Sequence, residues 1–152
     1  MPKTLTNIKE YAFEALALET LIIPNSVVNI AYNAFYACKI DYLNLEDGSK
    51  NLNIGVYKTN VGDYCTVFDT ADLISVYVGR NIYCSSDYVR WVFYKINVYI
   101  GENVSRFTAS FALSCTVDRI YSPISFIGLA AFRESTFVNS EISLSSTITT
   151  IP

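Results

Sequence analysis

The opening of the chain repeats itself after 22 residues. Pro2-Lys3-Thr4-Leu5-Thr6-Asn7-Ile8, followed by Tyr11-Ala12-Phe13, returns as Pro24-Asn25-Ser26-Val27-Val28-Asn29-Ile30, followed by Asn33-Ala34-Phe35. A unit this short cannot bury its own apolar face, so copies must stack, and the period predicts a repeat solenoid with about 22 residues per coil. Such a fold offers a binding surface rather than a reaction centre.

With Pro24 as reference, the equivalent positions are Pro2, Glu46, Gly79, Gly101, Pro123 and Ser145, giving intervals of 22, 22, 33, 22, 22 and 22. The irregular interval is one repeat plus 11 residues. One solenoid over residues 1–152 is therefore expected, with an inserted loop or hairpin around 53–67.

Within each unit, Leu21, Leu43, Val76, Val98, Ile120 and Ile142 stand three before the reference and should face the core. Side chains alternate along a strand, so the residues two before it, Ile22, Asn44, Tyr77, Tyr99, Tyr121 and Ser143, should point outward. A second apolar pair, as in Val27 and Ile30, suits another short strand or extended corner. The pairs Ala12-Phe13, Ala34-Phe35, Val67-Phe68, Val92-Phe93, Ser110-Phe111 and Ala131-Phe132 would plug each coil from the opposite wall. Their small, helix-tolerant neighbours predict short helical turns there. Tyr11 to Glu19 has the propensity of a full amphipathic helix, but residues 18 to 23 align in repeat phase with Ile40 to Leu45, where Asp41-Tyr42-Leu43-Asn44-Leu45 alternates as a strand, so any helix should stop near Ala17.

Leu21-Ile22-Ile23-Pro24-Asn25-Ser26-Val27, then Ile30, Ala34-Phe35 and Cys38, resembles the BspA-type leucine-rich repeats. The pattern is specific in the first two repeats, weakens through residues 46 to 95 and returns at Val104 to Cys115 and Ile120 to Phe132. The resemblance implies a leucine-rich-repeat-like solenoid, mainly short β-strands, that takes part in adhesion and protein binding on a cell surface or after secretion. Glycine in place of proline at 79 and 101 departs from it, and Met1-Pro2-Lys3 enters the repeat with no export signal before it.

Composition excludes several chemistries. The 152 residues are 51% hydrophobic and 16% charged, enough for a continuous core. Eleven Lys and Arg against 14 Asp and Glu leave a net charge of -3 with no basic run, which disfavours nucleic acid. No apolar stretch reaches the roughly 18 residues of a membrane span. There is no histidine, the commonest general base, no CxxC pair, and no phosphate-cradling glycine motif, so neither an enzyme nor a cofactor is expected. The cysteines at 38, 65, 84 and 115 read as small buried residues, with a disulfide framework as the alternative. Acidic residues at Glu46-Asp47-Gly48-Ser49, Asp69 and Asp72 read as a turn and solvated groups rather than a metal site.

The residues that remain form a surface. Tyr77, Tyr99 and Tyr121, spaced 22 and 22, should stack as an outward ladder on adjacent strands about 4.8 Å apart. Asn44 precedes them in the same row, and four before each reference run Tyr42, Ser75, Asn97, Arg119 and Glu141. Tyrosine and arginine are common anchors of protein interfaces. The candidate partner-binding residues are thus Tyr42, Asn44, Tyr77, Asn97, Tyr99, Arg119 and Tyr121. The same rings could carry a glycan, or simply stabilise one another. Neither end shows a polar cap, so self-association through uncapped ends, as in a subunit of a surface layer or a viral or phage particle, is a further expectation.

Overall fold

The structure, a computed structural model, describes residues 1–58, 64–65, 67–68, 71–84, 91–120, 124–140 and 142–148. In chain order the successive coils contribute β1 (Asn7–Ile8) and β2 (Ala17–Ile23), then β3 (Asn29–Ile30) and β4 (Lys39–Leu45). The next gives β5 (Leu52–Ile54), β6 (Tyr57–Lys58), β7 (Tyr64–Cys65) and β8 (Asp72–Val78). After these come β9 (Ile82–Cys84), β10 (Phe93–Tyr94) and β11 (Asn97–Ile100), then β12 (Arg106–Phe107), β13 (Ala112–Leu113) and β14 (Thr116–Asp118), and finally β15 (Phe126–Ile127) and β16 (Thr136–Val138).

Each coil runs along three walls. The longer strands build a six-stranded parallel sheet ordered β16-β14-β11-β8-β4-β2. The short strands build a second wall, as the parallel sheets β1-β3-β5-β9 and β12-β15, and the third wall is made of turns and the β10-β13 pair. Parallel pairing of one coil with the next is what a constant repeat phase dictates: like residues fall beside like, and every inward row is apolar. Leu21, Leu43, Val76, Val98 and Val117 form one buried row, and Ile8, Ile30, Ile54 and Cys84 another.

The phenylalanines fill the third wall as the repeat predicts. Phe13, Phe35, Phe68 and Phe93 stack nearly parallel, with centroids 5.3, 5.6 and 5.7 Å apart, and Phe93, Phe111 and Phe132 continue the column edge to face. Cys38, Cys84 and Cys115 are buried beside this core.

The turns of that wall are not helical: no α-helix occurs among the described residues. Hydrogen bonding explains why. The N–H groups of Ala12 and Glu14 close tight turns onto Lys9 and Tyr11, but those of Phe13 and Ala15 donate to the Ala34 and Tyr36 carbonyls of the next coil, both at 2.9 Å. Alternate amides serve the stack, so none remain for a helical ladder. The geometry puts Tyr11 and Ala15, Asn33 and Ala37, Ser110 and Ser114, and Ala130 and Glu134 at φ between 50° and 58°. The strand begins at Ala17, where repeat phase requires it.

The register departs from a constant period in the last coils. Strand offsets are 22 from Leu21 to Leu43, 33 to Val76 and 22 to Val98, as read from the sequence, but then 19 to Val117 and 20 to Phe137. The expected core positions Ile120 and Ile142 are therefore not strand residues: Ile120 is buried just beyond β14 and Ile142 is exposed. Arg119 and Asn139, directly after β14 and β16, are left-handed (φ 58° and 52°), so those strands stop before Ile120 and Ile142. Between β5 and β8, where the extra residues fall, β6 and β7 pair antiparallel, with Tyr57 opposite Cys65 and Lys58 opposite Tyr64.

Candidate functional site

The outer face of the long-strand sheet carries the residues singled out from the sequence. Alternation along β4, β8 and β11 sends Asn44, Tyr77 and Tyr99 outward, and pairing sets Asn44 beside Tyr77 and Tyr77 beside Tyr99. The row then continues to Asp118, not to Tyr121, because the next coil has only 19 residues. Tyr121 itself lies outside the described residues. The parallel row reads Tyr42, Ser75, Asn97, Thr116. Arg119, expected in that row, stands instead at the end of β14 in the left-handed conformation.

An open hollow of about 520 Å³ is lined by Tyr42, Tyr77, Tyr99, Ile100, Asp118 and Arg119. Four of the expected residues thus meet around one depression. Asn44 and Asn97 do not line it: Asn97 is exposed in the neighbouring row, and the Asn44 side-chain oxygen is buried without a hydrogen-bond partner.

The two central tyrosines are not equivalent. Tyr99 is 41% exposed. Tyr77 is half-buried, and its hydroxyl donates to Asp47 Oδ1 and Oδ2 at 2.9 and 3.1 Å. Asn103 Nδ2 also donates to Asp47 Oδ1, at 3.4 Å. Asp47, read from the sequence as part of a turn, is therefore the anchor of one ring of the hollow. Asp118 adds a carboxylate that the constant period concealed.

A corner near the hollow holds a charge that no repeat position marks. Arg80 is fully buried; Nη1 donates to the Asn25 and Val27 carbonyls at 3.0 and 2.6 Å, and Nη2 to the Pro24 carbonyl at 3.1 Å. Loss of hydration lowers its pKa, partly offset by the nearby Glu46 carboxylate. Glu46 in turn accepts from the Asn25 N–H at 3.2 Å. This cluster ties together corners of three coils and is engaged internally.

Among the described residues no group of three or more His, Cys, Asp or Glu is placed to hold a metal ion, and no helix is long and apolar enough to cross a membrane. The face offers aromatic rings, a carboxylate and a guanidinium, which suits recognition through contact.

Short parallel strands repeated coil by coil around a column of phenylalanine define a leucine-rich-repeat solenoid. The family model for the BspA type leucine rich repeat region matches residues 1–78 in six copies, half of the chain, and the chain belongs to that family. That match runs through the stretch after Glu46 where the sequence pattern weakens and stops at the end of β8. No curated protein and no solved structure matches the chain.

Proposed function

We propose that the chain is a non-enzymatic recognition module that binds a protein partner through the tyrosine-lined hollow of its long-strand sheet. The observation that carries this reading is the register, which sets Tyr77 beside Tyr99 and gathers Tyr42, Asp118 and Arg119 around the same depression. Rigid aromatic rings with a charged pair at their edge match the composition of interface anchors. Membership of a repeat family that generally mediates protein interaction and adhesion points the same way. A cell-surface or secreted location accompanies the reading, and labelling of intact cells checks it.

The test is affinity capture with the wild-type chain and with a Tyr42→Ser, Tyr99→Ser double variant, which leaves the Tyr77 anchor intact. A partner retained by the first and lost by the second supports the reading. Equal retention removes the hollow from the function, and loss of sugar binding alone on a glycan array makes the face a carbohydrate platform.

A second reading, a self-associating structural subunit, is favoured by one observation. The inward row that is closed at Leu21 (7% exposed) ends at Phe137, which is 36% exposed.

A further inference from the structure

The second wall carries its own outward row, distinct from the hollow. Asn7, Asn29, Asn53 and Tyr83 are register partners on β1, β3, β5 and β9, and Arg106 and Phe126 are partners on β12 and β15. The two stretches join. The Asn81 side-chain oxygen accepts from the Ser105 and Arg106 N–H groups at 2.9 and 3.0 Å, and Tyr83, Arg106 and Phe126 line one notch of about 170 Å³.

The halves of this row differ in chemistry. In the first, the amides bind each other: Asn29 Nδ2 donates to Asn7 Oδ1 at 2.8 Å, and Asn53 Nδ2 to Asn29 Oδ1 at 3.0 Å and to the Val28 carbonyl at 3.1 Å. It forms a stiff polar floor whose donors are largely engaged. In the second, Tyr83 is 53% and Phe126 41% exposed, and the Arg106 guanidinium lies over the Phe126 ring, 4.5 Å from its centroid. Stacking holds a guanidinium flat and leaves the donors in its plane available to a carboxylate.

Charge narrows the partner. Among the described residues Arg106 has no ion pair, the one salt bridge being Arg133 with Glu134 on another wall. Among the described residues no Asp or Glu lines either part of the row, and Lys9 lines the amide half. On a chain of net charge -3 this is a positive stripe set with rings.

We propose that this row docks an extended acidic peptide segment of a partner protein, with a carboxylate held by Arg106, an apolar contact on Tyr83 and the remainder along the amide floor. The planar fork of arginine fits a carboxylate with two parallel hydrogen bonds. An acidic sugar fits less well, because its many hydroxyls need unengaged polar side chains, and the asparagine amides are already paired. The site is independent of the tyrosine hollow and stands or falls separately from it.

The test is a titration of the isotope-labelled chain, followed by nuclear magnetic resonance, with a short synthetic peptide of alternating Glu and Ser. The same peptide with Gln for Glu and an oligogalacturonate serve as comparisons. The Glu peptide is expected to shift the amides of Tyr83, Arg106 and Phe126. Arg106→Gln should weaken it by about ten-fold or more, and Arg106→Lys by less, since it keeps the charge but loses the fork. Arg133→Gln should leave the affinity unchanged. Where Arg106→Gln disturbs the spectrum beyond the notch, Arg106→Lys carries the comparison. No shift with the Glu peptide, equal binding of the Gln peptide, equal loss in Arg133→Gln, or binding of oligogalacturonate alone each overturns the proposal.

Discussion

The Tyr77 hydroxyl spans a coil boundary to both carboxylate oxygens of Asp47, at 2.9 and 3.1 Å, directly over Gly101. A Cβ at position 101 would meet that hydroxyl at 2.6 Å and Asp47 Oδ1 at 3.0 Å, so the glycine that replaces the proline of the first two repeats makes room for the pair. Gly101→Ala is expected to displace the hydroxyl and cost about 1 to 3 kcal/mol by chemical denaturation. In a Tyr77→Phe background, where that oxygen is gone, the same change should cost less. Equal costs in both backgrounds would mean the close approach is relieved elsewhere.

Arg80 answers carbonyls 53 to 56 residues away, and its removal strands those of Asn25 and Val27, while the Pro24 carbonyl keeps the Val27 N–H at 3.0 Å. Each buried carbonyl left without a donor costs about 1 to 3 kcal/mol. Arg80→Met, similar in reach but without donors, is expected to lose at least about 2 kcal/mol, a large share of the stability of an ordinary domain. Thermal and urea denaturation check it; a melting curve like the wild type's would show that the corner rearranges or hydrates.

The parts of this architecture that the sequence made legible are those encoded by one residue type returning at a fixed offset. Leu21, Leu43, Val76 and Val98 announce an inward row, and Phe13, Phe35, Phe68, Phe93, Phe111 and Phe132 announce the column. The last register was hidden because Ile120-Tyr121 imitates Val98-Tyr99 at the old spacing. The shorter coil falls between Val98 and Val117, where the long strand shrinks from the seven residues of β4 to the three of β14, a change that residue type does not signal. Helical propensity misled in the third wall because amides of Phe13 and Ala15 bond to the next coil, a partner that local sequence cannot supply. Of the surface, Tyr42, Tyr77 and Tyr99 could be found by alternation and period, whereas Arg119 joins the hollow from a position the period does not assign to it. Asp47, Arg80 and the Arg106–Phe126 stack act across coils between unlike residues and left no periodic trace.

The phenylalanine column should show graded costs along its length. Phe35 is fully buried between Phe13 and Phe68, while Phe13 is partly exposed at the end of the stack. Phe35→Ala and Phe111→Ala are expected to lose about 3 to 5 kcal/mol by leaving cavities, and Phe13→Ala clearly less, because its site opens to solvent. Denaturant midpoints measured side by side decide it, and equal losses at all three positions would mean that Phe13 packs as tightly as the buried rings.

Burial pushes the Cys38 and Cys115 thiols up, with backbone hydrogen bonds opposing only in part. The folded chain therefore keeps those protons where the unfolded chain has released them. The stability they lend is full below the ordinary thiol pKa and drains away as pH rises through the raised folded values. The native protein should react slowly with a thiol reagent at Cys38, Cys84 and Cys115 at pH 8, and quickly in urea, as mapped by mass spectrometry. Rapid native labelling of Cys38 or Cys115 would show that the wall opens locally.

The open end of the inward row makes the form of any self-association predictable. Leu43, Val76, Val98 and Val117 are fully buried and Leu21 nearly so, whereas Phe137 is 36%, Val138 38% and Leu144 41% exposed around the last coil. A head-to-tail filament needs two complementary ends, but the row at Leu21 and the neighbouring Ile8 are already covered. Association should therefore join like ends across a two-fold axis and stop at a dimer. Light scattering across a wide concentration range is expected to show mass rising from one 17.0 kDa chain to two and levelling there. Phe137→Lys should hold the protein at one chain, while Leu5→Lys at the other end should leave the transition in place. Growth beyond two chains, or suppression by Leu5→Lys, would mean that the covered end takes part; a constant single-chain mass would remove the structural-subunit reading.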